Sequence, residues 1–393
     1  MYNLLMIKSR YLLNNLLEDI EDKMVFIGGP RQVGKTTFTK DIIGKNFKSD
    51  YYNWDNIRNR LTALKLEWNS EAELIILDEF HKYKKWKTWI KGEYDVNKDK
   101  FKFILTGSAR LNIFRKGGDS LQGRYYYYTL FPFTLSEIEN IKNEINPSLE
   151  LNFKNINSNI INDLLRYGGF PEPLFKSNAK FHRRWLMNKT DRLINEDIRD
   201  LTLLRDIGNL TLLTELLKSK PGSILSINSL SNDLQLNFRT ISNWLDVFEN
   251  LYYCFRISAF NKKMIKSVKK EKKLYLWDWS MVDDMGARLE NLVALHLLKF
   301  VYYLREAEGH NVNLHYLRDI TGREVDFLIS YDNQPWLSVE VKNKDKNVSK
   351  NILYFKEKLN IPYNYQVVNI DNTDFIKSGI RVISISKFLT ALI

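Results

Sequence analysis

The sequence predicts a multidomain α/β protein that begins with a parallel sheet. Between Met24 and Phe131, short apolar runs alternate with helical patterns, and such alternation is typical of a parallel sheet covered by helices. The chain has 393 residues, more than one hydrophobic core usually serves, which indicates two or three domains. Its 44% apolar and 27% charged residues are typical of a folded chain and exclude extended disorder.

Five apolar runs are the expected strands of this first sheet. Each is short and rich in aliphatic or aromatic residues, as strands buried between helices are. In chain order they are MVFIGG, SDYYNW, ELIILDE, FKFILTGS and RYYYYTL.

The remainder of the chain divides by composition. The Asn- and Lys-rich stretch 139–162 contains Pro147 and reads as a linker, and the helical region after it is interrupted by YGGFPEP. Two short helices and a basic hairpin follow, and then a long amphipathic helix and further strands. We expect domains at residues 1–140, 141–221, 222–280 and 281–393.

The segment GGPRQVGKTT follows a strand and opens a helix. It contains the P-loop pattern of Gly, four residues and Gly-Lys-Thr, in which backbone amides and the helix N-terminus surround phosphates. We expect Lys35 to bind the β- and γ-phosphates of ATP and the Thr36 hydroxyl to ligate Mg²⁺. The expected binding residues are Gly29, Pro30, Arg31, Gln32, Val33, Gly34, Lys35, Thr36 and Thr37.

Acidic and polar residues at the ends of two later strands complete this prediction. Asp78 follows the apolar run LIIL and is expected to hold Mg²⁺, while the adjacent Glu79 is expected to polarise the attacking water. Thr106 and Ser108 follow the next strand, where they either sense the γ-phosphate or cap the next helix. An adjacent glutamate favours ATP hydrolysis over kinase or GTPase chemistry.

An arginine finger is also expected. Arg124 precedes a strand that we place near the nucleotide edge, so it can stabilise phosphate charge within its own chain or in trans. Arg31, Arg110 and Arg115 compete for this role. His81 either contacts the γ-phosphate or, as we favour, is a surface or capping histidine.

The stretch LSINSLSNDLQLNFRTISNWLDVFENL predicts two short helices joined by a turn, as in a winged helix. Its exposed face has a single arginine, so we expect DNA contacts to the phosphate backbone from the basic segment that follows. The alternatives are a packing module and a solvated Lys-rich hairpin. The expected contacts are Lys262, Lys263, Lys266, Lys269, Lys270, Lys272 and Lys273.

Two carboxylates and a lysine lie on apolar runs near the C-terminus. If the runs around Asp326 and Glu340 pair as a hairpin, Lys342 shares a face with Glu340 and lies near Asp326. The carboxylates can then bind Mg²⁺, with Glu290 as a third ligand, while Lys342 orients or deprotonates a water molecule. The alternative is a structural network of acids and lysine without metal.

Several of these segments carry a resemblance to known families. Residues 24–131 resemble the ATPase core of the prokaryotic AAA-type ATP-binding family, through GGPRQVGKTT, LIILDEF and ILTGSARL with LQGR. The rest, through YGGFPEPL, INEDIRDL, LYLWDWS, GARLENLVA, REVDFLI and VEVK, is similar to the uncharacterised C-terminal domain found with that core. That part in turn resembles the PD-(D/E)xK nuclease-like fold, whose pattern falls on Glu290, Asp326, Glu340 and Lys342, with Val325 in place of a proline.

The resemblance implies an ATPase coupled to a restriction-endonuclease-like α/β domain that acts, or formerly acted, on DNA. The alternative is a nucleotide-dependent switch or scaffold whose nuclease-like domain is inactive. No run is long and apolar enough to span a bilayer, so we expect a cytoplasmic protein without a membrane partner, which can form a homo-oligomer. The single cysteine, Cys254, is expected to be a buried structural thiol.

Overall fold

The computed structural model describes residues 10–108, 121–156, 159–198, 206–261 and 271–393. The chain divides into two compact units, one running to Pro132 with Asn250–Tyr252, the other comprising Phe133–Glu249 and Tyr253–Ile393. The predicted boundary at residue 140 lies close to this division. The predicted boundaries at 221 and 280 both fall inside the second unit.

The first unit contains a parallel five-stranded sheet. Its strands are β1 Met24–Gly28, β2 Ser49–Asn53, β3 Leu74–Asp78, β4 Lys102–Thr106 and β5 Tyr125–Thr129. Their order is β2-β3-β4-β1-β5, and every neighbouring pair is parallel. The five predicted strands and the parallel sheet are therefore confirmed, and β4 separates β1 from β3.

Helices cover this sheet through aromatic contacts. Phe26 of β1 stacks on Tyr125 with ring centroids 4.4 Å apart and packs against Trp86 at 5.8 Å. Phe80 and Trp89 stack at 5.1 Å on the same core. The helices are α1 Leu13–Asp19, α2 Ile57–Leu64 and α3 Trp86–Asn97, with a π-helical segment at Thr37–Ile43.

The second unit contains the remaining helices. They are α4 Leu135–Ile138, α5 Ile160–Tyr167, α6 Pro171–Lys176, α7 Ala179–Arg192, α8 Ile207–Lys218, α9 Ile227–Leu234, α10 Phe238–Asn250, α11 Met285–Glu306, α12 Lys350–Leu359 and α13 Ile385–Leu389. Residues 168–170, the GGF of YGGFPEP, separate α5 from α6, so the predicted interruption of the helical region is confirmed. Within the described ranges, no helix is long and apolar enough to cross a bilayer.

An eight-stranded mixed sheet forms the core of the second unit, in the order β12-β13-β11-β10-β9-β8-β6-β7. The strands are β6 Cys254–Ala259, β7 Lys272–Leu276, β8 Val312–Arg318, β9 Glu324–Tyr331, β10 Gln334–Lys342, β11 Tyr363–Val368, β12 Asp374–Lys377 and β13 Ile380–Ser384. The predicted hairpin is present as β9 and β10, which pair antiparallel. Its turn uses Asp332 and Asn333 at φ 47° and 62°, values that these residue types tolerate.

The hairpin of β6 and β7 belongs to this same sheet. Strand β6 pairs in parallel with β8, with Ser258 opposite His315, and antiparallel with β7. The predicted boundary at residue 280 therefore separates strands that share one sheet. Cys254, at the start of β6, is buried as predicted, and burial raises the pKa of its thiol well above the usual value.

A buried ion pair joins α11 to α4. The Lys299 ammonium donates hydrogen bonds to Glu137 Oε2 at 2.7 Å and to Thr134 Oγ1 at 2.8 Å. Lys299 is 0% exposed and Glu137 is 8% exposed, so this ion pair is removed from water.

We expect Lys299→Met to lower the free energy of unfolding of this unit by about 3–5 kcal/mol, because Glu137 then stays buried without its cation. Chemical denaturation followed by fluorescence measures the loss. The double variant Lys299→Met/Glu137→Leu should recover most of it. A single variant as stable as the wild type would contradict the assignment.

Candidate functional site

The phosphate-binding pattern forms a loop at the carboxyl end of β1. Gly29 has φ 145°, and a Cβ at this position would lie 2.5 Å from the carbonyl oxygen of Leu130. Only glycine permits this close approach of two backbone segments. Gly34 also has a positive φ, 96°, so the loop turns its backbone as the sequence pattern requires.

An arginine that the sequence analysis missed supports this loop. The buried Arg10 guanidinium donates from Nη1 to the Val33 carbonyl oxygen at 3.0 Å and from Nη2 to the Phe131 carbonyl oxygen. Arg10 therefore ties the loop to the segment after β5. Its position before α1 carries no pattern that would have identified it.

The predicted phosphate lysine lies inside the loop. Lys35 is 6% exposed, and its ammonium donates to the carbonyl oxygens of Gly29 and Pro30, both at 2.9 Å. Phosphate oxygens accept stronger, charge-assisted hydrogen bonds than these carbonyl oxygens do. A phosphate bound in the loop would therefore replace the two carbonyls as the partner of the Lys35 ammonium.

Three hydroxyl groups, two of them from predicted site residues, donate hydrogen bonds to Asp78. Its carboxylate accepts hydrogen bonds from the Thr36 hydroxyl at 2.8 Å, from the Tyr51 hydroxyl at 2.6 Å and from the Thr106 hydroxyl. Thr106 is the last residue of β4, and its hydroxyl binds Asp78. Ser108 lies two residues beyond that strand.

Tyr51 was not predicted as a site residue. It lies in the middle of β2, and the sequence offers only its place on the strand that pairs with β3. Because burial and the Asp78 carboxylate both raise the pKa of the Tyr51 phenol, it remains a hydrogen-bond donor to Asp78.

Glu79 lies at the carboxyl end of β3 in a left-handed backbone conformation, φ 57°. Burial raises the pKa of its carboxyl, although the charges of Lys35, Lys82 and Arg31 oppose this shift. His81 Nε2 lies 3.6 Å from Glu79 Oε2. His81 is 5% exposed, so it is not a surface histidine.

Arg124, predicted as a finger in cis or in trans, lies at the amino end of the sheet, whereas the phosphate loop lies at the carboxyl end. It therefore does not reach the loop within its own chain, and the finger in trans stays a prediction. Arg124 precedes β5, and its carbonyl oxygen accepts from the amide of Met24 at the start of β1. The length of a five-residue strand, roughly 16 Å at about 3.3 Å per residue, separates it from the loop. Its guanidinium pairs with Asp95 at 2.7 Å. The competitors Arg110 and Arg115 lie outside the described residues.

The residues of this edge fit Mg²⁺ and ATP. The Thr36 hydroxyl and the Asp78 carboxylate are hard oxygen donors 2.8 Å apart, which suits Mg²⁺. Buried Glu79 Oε2 accepts no hydrogen bond from the described part of the chain. A carboxylate oxygen placed in this way can bind a water molecule beside the γ-phosphate.

The predicted C-terminal residues are also brought together. The amide of Val341 donates to Asp326 Oδ2 at 2.9 Å, which places Asp326 beside the backbone that follows Glu340. The Lys342 ammonium pairs with Glu340 Oε1 at 2.7 Å. Glu340 is 3% exposed, and its Oε2 accepts no hydrogen bond from any residue in the described ranges.

Lys273 pairs with the other acids of this region, which corrects two predictions. Its ammonium lies 2.7 Å from Glu324, 3.3 Å from Asp326 and 3.4 Å from Glu290. Because Lys273 is 1% exposed, it is not a surface contact for DNA phosphates. Among the described residues, no group of three or more His, Cys, Asp or Glu side chains is arranged to hold a metal ion, so the expected three-carboxylate metal site is not found.

Most of the lysines that were predicted to contact DNA phosphates lie outside the described residues. Lys272 is exposed at the start of β7, whereas Lys262, Lys263, Lys266, Lys269 and Lys270 lie outside the described residues. Arg256, at the start of the same basic segment, pairs with Asp246 and Glu249 of α10 at 2.6 and 2.5 Å.

Three family models match the chain. Residues 21–139 match an AAA domain, which agrees with the P-loop ATPase-like sheet and loop of the first unit. Residues 158–291 match one domain of unknown function (DUF8612), and residues 285–388 match another (DUF4143).

Relatives that match most of this chain include one archaeal and one bacterial protein. An uncharacterized protein of Methanocaldococcus jannaschii is 26% identical over 387 residues, covering 90% of this chain and 83% of that protein. An uncharacterized protein of Mycobacterium tuberculosis is 20% identical over 380 residues, covering 91% and 81%.

Solved structures with some similarity include one archaeal and one bacterial protein. A Walker-type ATPase of Pyrococcus abyssi aligns with a TM-score of 0.43 at 13% identity, covering 72% of this chain and 95% of that one. A RuvB variant of Thermotoga maritima aligns with a TM-score of 0.31 at 16% identity, covering 65% and 91%.

We expect Tyr51→Phe to raise the Mg²⁺ concentration needed for half-maximal ATP turnover about tenfold or more, because residues that orient a metal ligand typically have effects of this size. Titrating Mg²⁺ at fixed ATP measures the shift. Tyr52→Phe is the matched control, since Tyr52 bonds Asp50 at 2.9 Å on the same strand. Equal shifts in the two variants would exclude a specific role for Tyr51.

Proposed function

We propose that the chain is a Mg²⁺-dependent ATP-hydrolysing protein. The observation that carries this proposal is the convergence of Lys35, Thr36, Asp78 and Glu79 at one edge of a parallel sheet, in a segment that matches an AAA domain. A structural role alone does not call for a buried ammonium inside a glycine-turned loop, with the buried Asp78 and the half-buried Glu79 at the same end of the sheet.

Each of these residues has a distinct task in the proposed reaction. The Lys35 ammonium exchanges its carbonyl partners for the β- and γ-phosphates, and the loop amides bind the same oxygens. Thr36 and Asp78 hold Mg²⁺, which neutralises phosphate charge when bound. Glu79 orients the attacking water and accepts its proton, which suits a carboxyl whose pKa is raised by burial.

We expect Lys35→Ala to weaken ATP binding about tenfold or more, since a hydrogen bond to a charged group contributes about 1.5–3 kcal/mol. Glu79→Gln should retain ATP binding and lower turnover by about 10²–10⁴-fold, the range of general base catalysis. Equilibrium binding of ATP and steady-state phosphate release separate the two effects. Turnover that survives both substitutions would contradict the proposal.

DNA association is the second part of the proposal. It is supported by the net charge of +12 and by the basic segment between β6 and β7. The order of α8, a bridge between Ile224 and Lys273, α9, α10 and the β6-β7 hairpin resembles that of a winged helix. The acids on α10 pair with Arg256, which leaves backbone contacts as the favoured mode.

Two interpretations of the C-terminal domain differ in their chemistry. Its order, α11, β8, β9, β10, α12 and β11, resembles the nuclease-like core, and Asp326, Glu340 and Lys342 lie on its central hairpin. In one interpretation it cleaves DNA with Mg²⁺. In the other it is an inactive module moved by the ATPase, which we favour because Asp326 and Glu290 already share a buried ammonium.

We expect the triple variant Lys262→Ala/Lys263→Ala/Lys266→Ala to bind duplex DNA more weakly and to lower the slope of log K against log salt by about 2–3, since each phosphate contact contributes about 0.9. Fluorescence anisotropy across a salt series measures both. The control Lys84→Ala/Lys85→Ala/Lys98→Ala makes the same charge change at exposed lysines of the first unit. Indistinguishable slopes for the two triples would exclude this segment as the DNA contact.

A further inference from the structure

Lys273 is an unusual lysine for an edge strand of a sheet. It lies on β7, at the end of the eight-stranded order, yet its side chain is 1% exposed. Its ammonium contacts carboxylate oxygens of Glu324, Asp326 and Glu290 at 2.7, 3.3 and 3.4 Å. Two of these acids are positions on which the nuclease-like pattern falls.

Donors of the chain other than Lys273 also contact these carboxylates, whose side chains are 15–24% exposed. Glu290 Oε1 also accepts from the Tyr275 hydroxyl at 2.8 Å, and a Cβ at Gly222 would lie 2.9 Å from Glu290 Oε2. Glu324 Oε2 accepts from Arg318 at 2.8 Å, and Asp326 Oδ2 accepts from the Val341 amide at 2.9 Å. Donors of the chain therefore already contact three of the oxygens that a metal ion would need, Glu290 Oε1, Asp326 Oδ1 and Asp326 Oδ2. Glu340 Oε2 accepts no hydrogen bond from the described residues.

We propose that the Lys273 ammonium is a built-in cation that takes the place a divalent metal would have between Glu290 and Asp326. The cluster then holds together without metal, and the C-terminal domain has the fold of a nuclease without its metal chemistry. Lys342 has a parallel task, since its ammonium pairs with Glu340 at 2.7 Å. This inference does not depend on ATP hydrolysis.

The charge balance of the cluster agrees with this assignment. Four acids, Glu290, Glu324, Asp326 and Glu340, face the cations Lys273, Lys342 and Arg318. The acids therefore exceed the cations by one, and Lys273 contacts three of the four acids.

Manganese binding to the full chain without nucleotide tests the proposal. We expect wild type and Asp326→Asn to give the same Mn²⁺ isotherm by calorimetry and the same change in Tm between Mn²⁺ and EDTA. Lys273→Met removes the charge and keeps the side-chain length, so it should bind Mn²⁺ about tenfold more tightly or better. Adding Asp326→Asn to Lys273→Met should abolish that gain.

A second buried lysine provides the matched control. Lys299→Met also removes an ammonium that is 0% exposed and paired with a carboxylate, but outside the acidic cluster. It should be destabilised without gaining Mn²⁺ binding. A gain of equal size in Lys299→Met would overturn the assignment of the site to Lys273.

Other outcomes decide the question as well. Wild-type Mn²⁺ binding that weakens tenfold in Asp326→Asn would overturn the proposal, as would plasmid cleavage with Mg²⁺ or Mn²⁺ that is lost in Glu340→Ala. A folded Lys273→Met that gains no Mn²⁺ binding would show that Lys273 is not what excludes the metal. If Lys273→Met does not fold, the comparison of wild type with Asp326→Asn decides alone, and identical isotherms support the proposal.

Discussion

A carboxylate buried at the end or on the face of a strand is stable only when donors or cations surround it, and both units of this chain are organised by that constraint. In the first unit, Asp78 is 2% exposed and is held by three hydroxyl groups. In the second, Asp326 and Glu290 share the Lys273 ammonium. Neutral hydroxyls leave the charge of Asp78 available to a cation from outside, whereas the other two acids already contact an ammonium of the chain.

The parts of the fold that were predictable are those with local patterns. Strands β1 and β3 are continuous apolar runs whose residues are all buried, and all five strands of the first sheet were located from the sequence alone. The loop from Gly29 to Thr36 was predictable because glycine spacing and the position of Lys35 are fixed by the backbone turn. Asp78 and Glu79 followed from their place directly after a buried strand.

The parts that were not predictable depend on contacts between distant segments. Lys273 is 53 residues from Asp326 in the chain, and a count of basic residues cannot distinguish an exposed ammonium from one that a sheet has buried. Arg10 acts on a loop 23 residues away, with no pattern to mark it. The misplacement of Arg124 was avoidable, because a residue that precedes a parallel strand lies at the amino edge of the sheet, away from a loop that follows one.

The position of Lys273 on β7 has a consequence for how the C-terminal domain can be defined. The similarity to a domain of unknown function begins at residue 285, after β7 has ended, whereas the ammonium that contacts Glu290, Glu324 and Asp326 comes from before that point. The segment that is similar in sequence therefore omits one of the cations that pair with its acids. A fragment cut at the start of α11 would contain these three acids without Lys273, and its folding and metal affinity would describe a different molecule from the intact chain.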